Sequence, residues 1–194
     1  MHTLLVTALV AAVVAGAPAA APVVGPVVAA GRPAPPPRVT MVTERFERFT
    51  PGAAVTYRAD LVPAGARVSV VGLPVATSTT VVLGVAGLVP HRAYGAHVHV
   101  RGCGADPAAA GPHYQDRPDP RQPSTDPHYA NPDNEIWLDL TTDDKGAATS
   151  SATVGWEFRK GEANAVVVHA SHTHTEAGKA GTAGDRLACL THAY

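Results

Sequence analysis

Aromatic residues make up only 5% of this 194-residue chain, and beyond its first 37 or so residues no segment keeps helical periodicity for more than about two turns. A helical bundle is therefore not expected. Charge is scarce and balanced, with 15 Lys and Arg against 16 Asp and Glu and a formal net charge of −1. Nothing in that balance marks a polyanion-binding surface, so nucleic acid is not an expected partner. Neither a glycine-rich phosphate loop nor the signature of a hydrolytic triad occurs. Glycine and proline are plentiful, at 18 each, which suits many short strands joined by turns.

The chain opens on an apolar stretch, Leu4 to Ala15, followed by small residues and proline in Gly16-Ala17-Pro18-Ala19-Ala20-Ala21. This reads as a signal peptide over residues 1–22, with the departure that its first residues hold His2 but no Lys or Arg. An uncleaved anchor is the competing reading. Against it, Pro18, Pro22 and Pro26 interrupt the segment before a span of about 20 residues is reached, so no stable membrane insertion is expected after processing. Residues 23–52 read as a Pro/Ala-rich linker and 53–194 as the folded domain. The two cysteines, Cys103 and Cys189, lie inside that domain. In an exported chain an even pair reads as one disulfide, with two free buried thiols as the alternative. Closing a loop whose ends are 86 positions apart constrains the unfolded chain by at most about 4.6 kcal/mol.

Strand-like segments recur at 54–60, 66–71, 79–85, 94–100, 135–142, 147–154, 163–169 and 186–191, with turn residues between them. Eight short strands imply a sandwich or barrel. Asp143-Asp144-Lys145-Gly146 predicts a hairpin turn with Gly146 at positive φ. Two stretches lack the pattern, 101–134 and 170–185, and loops of that length in a compact domain are usually functional or disordered.

Nine of the ten histidines lie between positions 91 and 192. In Tyr94-Gly95-Ala96-His97-Val98-His99 the two histidines are two residues apart, so in a strand both project from one face, where two imidazoles can chelate a transition metal. His113 follows in Ala110-Gly111-Pro112-His113-Tyr114, and His169 ends Val166-Val167-Val168-His169. Arg186 lies in Gly184-Asp185-Arg186-Leu187-Ala188-Cys189.

Taken together and in this order, these segments make residues 54 to 194 resemble the bacterial, exported Cu,Zn superoxide dismutases. The resemblance implies an all-β fold, an eight-stranded antiparallel Greek-key β-sandwich or barrel with two long functional loops. It implies copper bound by His97, His99, His113 and His169, and four neutral imidazoles suit Cu(II). His113 would be the bridging histidine that faces zinc through its other nitrogen and donates a proton. Arg186 would attract superoxide beside the copper, and Cys103 and Cys189 would form the family disulfide.

The implied activity is a copper-dependent superoxide dismutase, converting superoxide to oxygen and hydrogen peroxide outside the cytoplasm, as a secreted or cell-envelope protein. A noncatalytic exported copper-binding module of the same fold is the alternative, and a homodimer is left open. Zinc is an open question. His128 fills the family's second zinc position and Asp139 is spaced for the acid, but the residue three before Asp139 is Ile136, which ligates nothing. The other register puts Asp133 at the third-histidine position and loses the acid to Ile136. Asp133, Glu135 or Asp139 would then substitute, or a carboxylate would hydrogen-bond His113 and hold its tautomer. Four residues after His169, where the family carries an Asp tying the copper and zinc sides together, this chain has Thr173. Lys179 and Arg186 are the fixed cations left in a shortened second loop, and His172 and His174 are additional histidines there.

Overall fold

Alternation of small apolar and polar residues builds two antiparallel sheets, seen in a computed structural model that describes residues 38–49 and 54–194. The expected signal peptide and residues 23–37 of the linker lie outside these residues. One sheet has the order β1-β3-β4-β7, with β1 at Thr40–Arg45, β3 at Arg67–Val75, β4 at Ser78–Ala86 and β7 at Ala148–Val154. The other runs β2-β9-β8-β5-β6, with β2 at Val55–Thr56, β5 at Ala93–His99, β6 at Leu140–Thr141, β8 at Ala165–His169 and β9 at Arg186–Thr191. β4 lies beside β7, although the chain visits β5 and β6 between them, and β6 touches β7. That return beside the first strand of a run is the Greek-key connection. Among the described residues no helix is long and apolar enough to cross a membrane.

The first sheet has one face in the core and one toward solvent. In β4 the even alternation buries Val81, Leu83 and Val85, which meet Val68 and Val70 of β3. The second sheet is covered on both faces, and β5 from Tyr94 on and all of β8 are buried. Tyr94, Ala96, Val98, Val166 and Val168 point into the sandwich core. Residues of opposite phase, among them His97, His99, Ala165, Val167 and His169, lie beneath the two long loops.

Those loops have little regular structure but many side-chain anchors. In 101–134 the Asn134 amide holds Arg117 and Tyr129, and the Arg159 guanidinium donates to the carbonyls of Gln115 and Asp116. Cys103 and Cys189 form the disulfide, which ties the start of this loop to β9. The hairpin turn forms as expected. Asp143 Oδ1 accepts from the backbone of Lys145 and Ala147, and Gly146 has φ 71° with the Leu88 carbonyl so close that any side chain would collide with it.

Three expectations change. Residues 40–45, assigned to the linker, form β1 on the edge of the first sheet, and Phe46 behind them is fully buried. A linker reading fails there because the inward residues of this strand gain a core to cover. The described strands therefore number nine rather than eight. The 54–60 segment pairs over only two residues. The 135–142 segment keeps its alternation, with Ile136, Leu138 and Leu140 buried, but pairs as a strand only at its end. Its earlier part makes a single bridge, Trp137 to His97, because the alternate side chains are turned into the histidine layer.

One irregularity sets up the site. β8 and β9 pair Val168 with Ala188 and then His169 with Arg186, so Leu187 is an extra residue in β9. Leu187 and Ala188 both face the core, and this bulge shifts the phase so that Arg186 comes out beside His169.

Candidate metal centre

His97 and His99 come from β5, His169 from the end of β8, and His113 from the loop segment bridged to His99. One ligating nitrogen from each of the four lies within 4.8 Å of the others. His97, His99 and His169 are almost wholly buried. His169 faces Gly95 across the strand pair, and Gly95 is required there. A Cβ at Gly95 would stand 2.6 Å from the Ser171 carbonyl and 2.7 Å from Ala183 Cβ, so a larger residue would push the covering loop off the site.

In each ring the nitrogen facing away from the cluster is hydrogen-bonded. His99 Nδ1 donates to the Gly111 carbonyl at 2.9 Å, and His169 Nδ1 to that of Gly184 at 3.3 Å. His113 Nδ1 donates to Glu135 Oε2 at 2.8 Å. His97 contacts Thr173 Oγ1 through Nε2 at 2.7 Å, and its buried Nδ1 has no partner. The inner nitrogens therefore converge as lone pairs, with His99 Nε2 and His169 Nε2 only 3.4 Å apart. Four acceptors aimed at one point, three of them on buried rings, repel one another unless a cation sits among them. A soft-to-borderline transition metal that takes imidazole fits this donor set.

Burial and the neighbouring imidazoles hold the proton affinities of His97 and His99 well below the ordinary histidine value. Burial does the same to His169, lowering it from 6.5 to about 3. These rings are neutral and ready to ligate at neutral pH. Because the unfolded chain binds more protons than the folded one only below about pH 6.5, the metal-free protein keeps the stability linked to these rings in full above that pH. It loses stability as pH falls from there toward 3, by about 1.4 kcal/mol per pH unit for His169, and His97 and His99 act in the same direction. Urea unfolding of metal-free protein at pH 7 and pH 5 reads this. Equal midpoints would contradict neutral burial.

Arg186 donates to the carbonyls of Pro107 at 2.9 Å and Gly111 at 2.6 Å, and among the described residues no carboxylate pairs with it. It lines a cavity of ≈ 220 Å³ with His113 and His169, walled by Gln122 to Ser124 of the first loop and 181–184 of the second. Lys179, the other expected cation, is exposed beside Glu176 and takes no part in this wall.

The expected zinc side is not brought together. His128 is exposed, with Nδ1 on Asp126, and does not reach His113. Asp139 accepts from the Thr173 backbone and hydroxyl instead of facing His113. Glu135, only 1% exposed, takes the place beside His113 Nδ1 and also accepts from Gln115 Nε2 and Trp137 Nε1, both at 2.7 Å. Trp137 was not singled out from the sequence, although the alternation in 135–142 places Glu135, Trp137 and Asp139 on one face. Among the described residues, no second group of three or more metal-ligating side chains accompanies the four histidines. His172 contacts Leu140 and Thr141, and His174 contacts Glu176.

Among curated proteins no match is found. The Cu/Zn superoxide dismutase from Brucella abortus superposes with a TM-score of 0.52 at 18% identity, covering 79% of this chain and 99% of that one. A double mutant of a SOD-like protein from Bacillus subtilis gives 0.46 at 16% identity over 63% of this chain and 86% of its own. The family model described as copper/zinc superoxide dismutase (SODC) matches residues 68–191. That match takes in both histidine-bearing strands, the two loops and Arg186, and the chain belongs to the copper/zinc superoxide dismutase family.

Proposed function

We propose that this protein is a copper-dependent superoxide dismutase that works outside the cytoplasm and needs no zinc. The observation that carries the reading is the four-imidazole cluster with its inner nitrogens free, opening beside an arginine that, among the described residues, forms no ion pair with a carboxylate. His97 through Nδ1, and His99, His113 and His169 through Nε2, are the atoms that would hold the metal. Bound copper supplies the one-electron chemistry that oxidises one superoxide to oxygen and reduces a second to peroxide.

The chain's own residues do the rest. Arg186 draws the anion into the cavity and holds it near His113 and His169. His113 would carry a proton at Nε2 to the reduced substrate, while Glu135 accepts from Nδ1 and balances the imidazolium charge. Two protons in all are consumed for one oxygen and one hydrogen peroxide. Glu135, with donors on both oxygens, does for His113 what an outer metal would do: it orients the ring. The disulfide and the expected signal peptide support an extracytoplasmic location.

Copper and zinc content measured with dismutation on one reconstituted sample tests this. One copper per chain with rapid dismutation, unchanged by added zinc, is the expected result. Bound copper without dismutation would favour the noncatalytic copper-binding module. No copper would overturn both.

A further inference from the structure

His97 is the one ring of the cluster whose outer nitrogen meets a hydroxyl rather than a carbonyl or carboxylate. A threonine hydroxyl can donate or accept, so by itself it would leave either nitrogen of His97 free to carry the proton. Asp139 removes that freedom. Its Oδ2 accepts from the Thr173 backbone N–H at 2.7 Å, and its Oδ1 accepts from the Thr173 hydroxyl at 2.6 Å. With its only proton committed to Asp139, Thr173 Oγ1 faces His97 Nε2 at 2.7 Å as an acceptor. The ring proton must then sit on Nε2, which leaves the lone pair on Nδ1. That buried, unpartnered atom is the one that faces the other three rings.

We infer that Thr173 and Asp139 form a hydroxyl–carboxylate relay that fixes the tautomer of His97 and so presets the metal centre before any metal arrives. The inference builds on the copper reading for its consequence, while the tautomer itself belongs to the metal-free protein. Both residues are positioning residues, acting through His97. The relay stands where the family resemblance leads one to expect a single carboxylate, and it divides that role between two elements. Thr173 opens the second loop, and Asp139 sits on the segment that carries Glu135. The carboxylate grips both the backbone and the side chain of Thr173, so the same contact holds the loop's first turn against the cluster.

The two partners make distinguishable predictions when altered. In Thr173→Val the acceptor disappears, and His97 in metal-free protein populates both tautomers. In Asp139→Asn the amide oxygen still serves the Thr173 N–H. Its NH₂ group then faces Oγ1, so the hydroxyl turns to donate to His97 Nε2 and the ring proton moves to Nδ1, inside the cluster. Thr173→Ser keeps the relay and should behave as wild type.

Nitrogen-15 NMR of the metal-free proteins reads these tautomers directly. Copper affinity, measured by chelator competition, should fall about 10- to 100-fold for Thr173→Val and Asp139→Asn but not for Thr173→Ser. The Cu(II) electron paramagnetic resonance spectrum should change with it. An Nε2–H tautomer that persists in both Thr173→Val and Asp139→Asn would overturn the relay. So would a wild-type ring protonated on Nδ1. If wild type shows the expected tautomer and its loss in the variants but binds no copper, the relay stands and the copper reading fails.

Discussion

His169→Ala lowers the affinity for copper by more than about 100-fold. Loss of an outer hydrogen-bond partner alone costs 10- to 100-fold at metal sites, and this substitution deletes a ligand itself. The remaining nitrogens belong to two neighbouring positions of β5 and one loop residue, so the vacated corner is the one contributed by β8. No other side chain stands ready to fill it, since the facing residue on β5 is Gly95. The variant also removes a ring whose neutral burial penalises folding at low pH. The metal-free variant should therefore lose less stability than wild type between pH 7 and pH 5. Chelator competition and urea unfolding on the same preparation check both halves. Copper affinity equal to wild type would show that the four rings are not the ligand set.

Arg186→Ala separates binding from turnover. It leaves copper stoichiometry unchanged, because the guanidinium touches carbonyls of Pro107 and Gly111 and no ligand ring. It should lower the bimolecular rate by about 10- to 1000-fold, the range that focusing of a small anion by charge commands. The residual rate should lose most of its dependence on ionic strength, because among the described residues no other Lys or Arg lines the cavity. Arg186→Lys restores charge but not the fork that grips two carbonyls, and should recover only part of the rate. Stopped-flow decay of superoxide at several salt concentrations is the measurement. A rate that survives Arg186→Ala would shift the anion's approach elsewhere.

Much of this arrangement could be read in the chain because it follows from period. Histidines two apart in an apolar run must share a strand face, and His169 ends a run that can only be a buried strand. The turn at Gly146 was legible for a similarly local reason, and the disulfide because the chain holds just two cysteines. Less legible was the division of labour among Asp133, Glu135 and Asp139. All three were in view as partners for His113, yet Glu135 takes that place and Asp139 serves Thr173. The choice depends on where two loops lie over the second sheet, and that path is set by long-range anchors such as Arg159 and Asn134. His128 was placed by order along the chain, which carries no information about a loop's route. β1 was hidden because its neighbours in sequence are prolines and its partner strand lies more than twenty residues away.

The extra residue in β9 makes the arginine's position a matter of integer count. If the ladder ran on without the bulge, with Leu187 and not Arg186 opposite His169, alternation would turn Leu187 toward the histidines and Arg186 toward the apolar interior. Such a strand would draw in water around a buried cation, even though every histidine of the cluster was intact. The bulge, and no residue of the histidine cluster, therefore decides whether the cation stands beside His169, and a comparison scored by identity would scarcely record it.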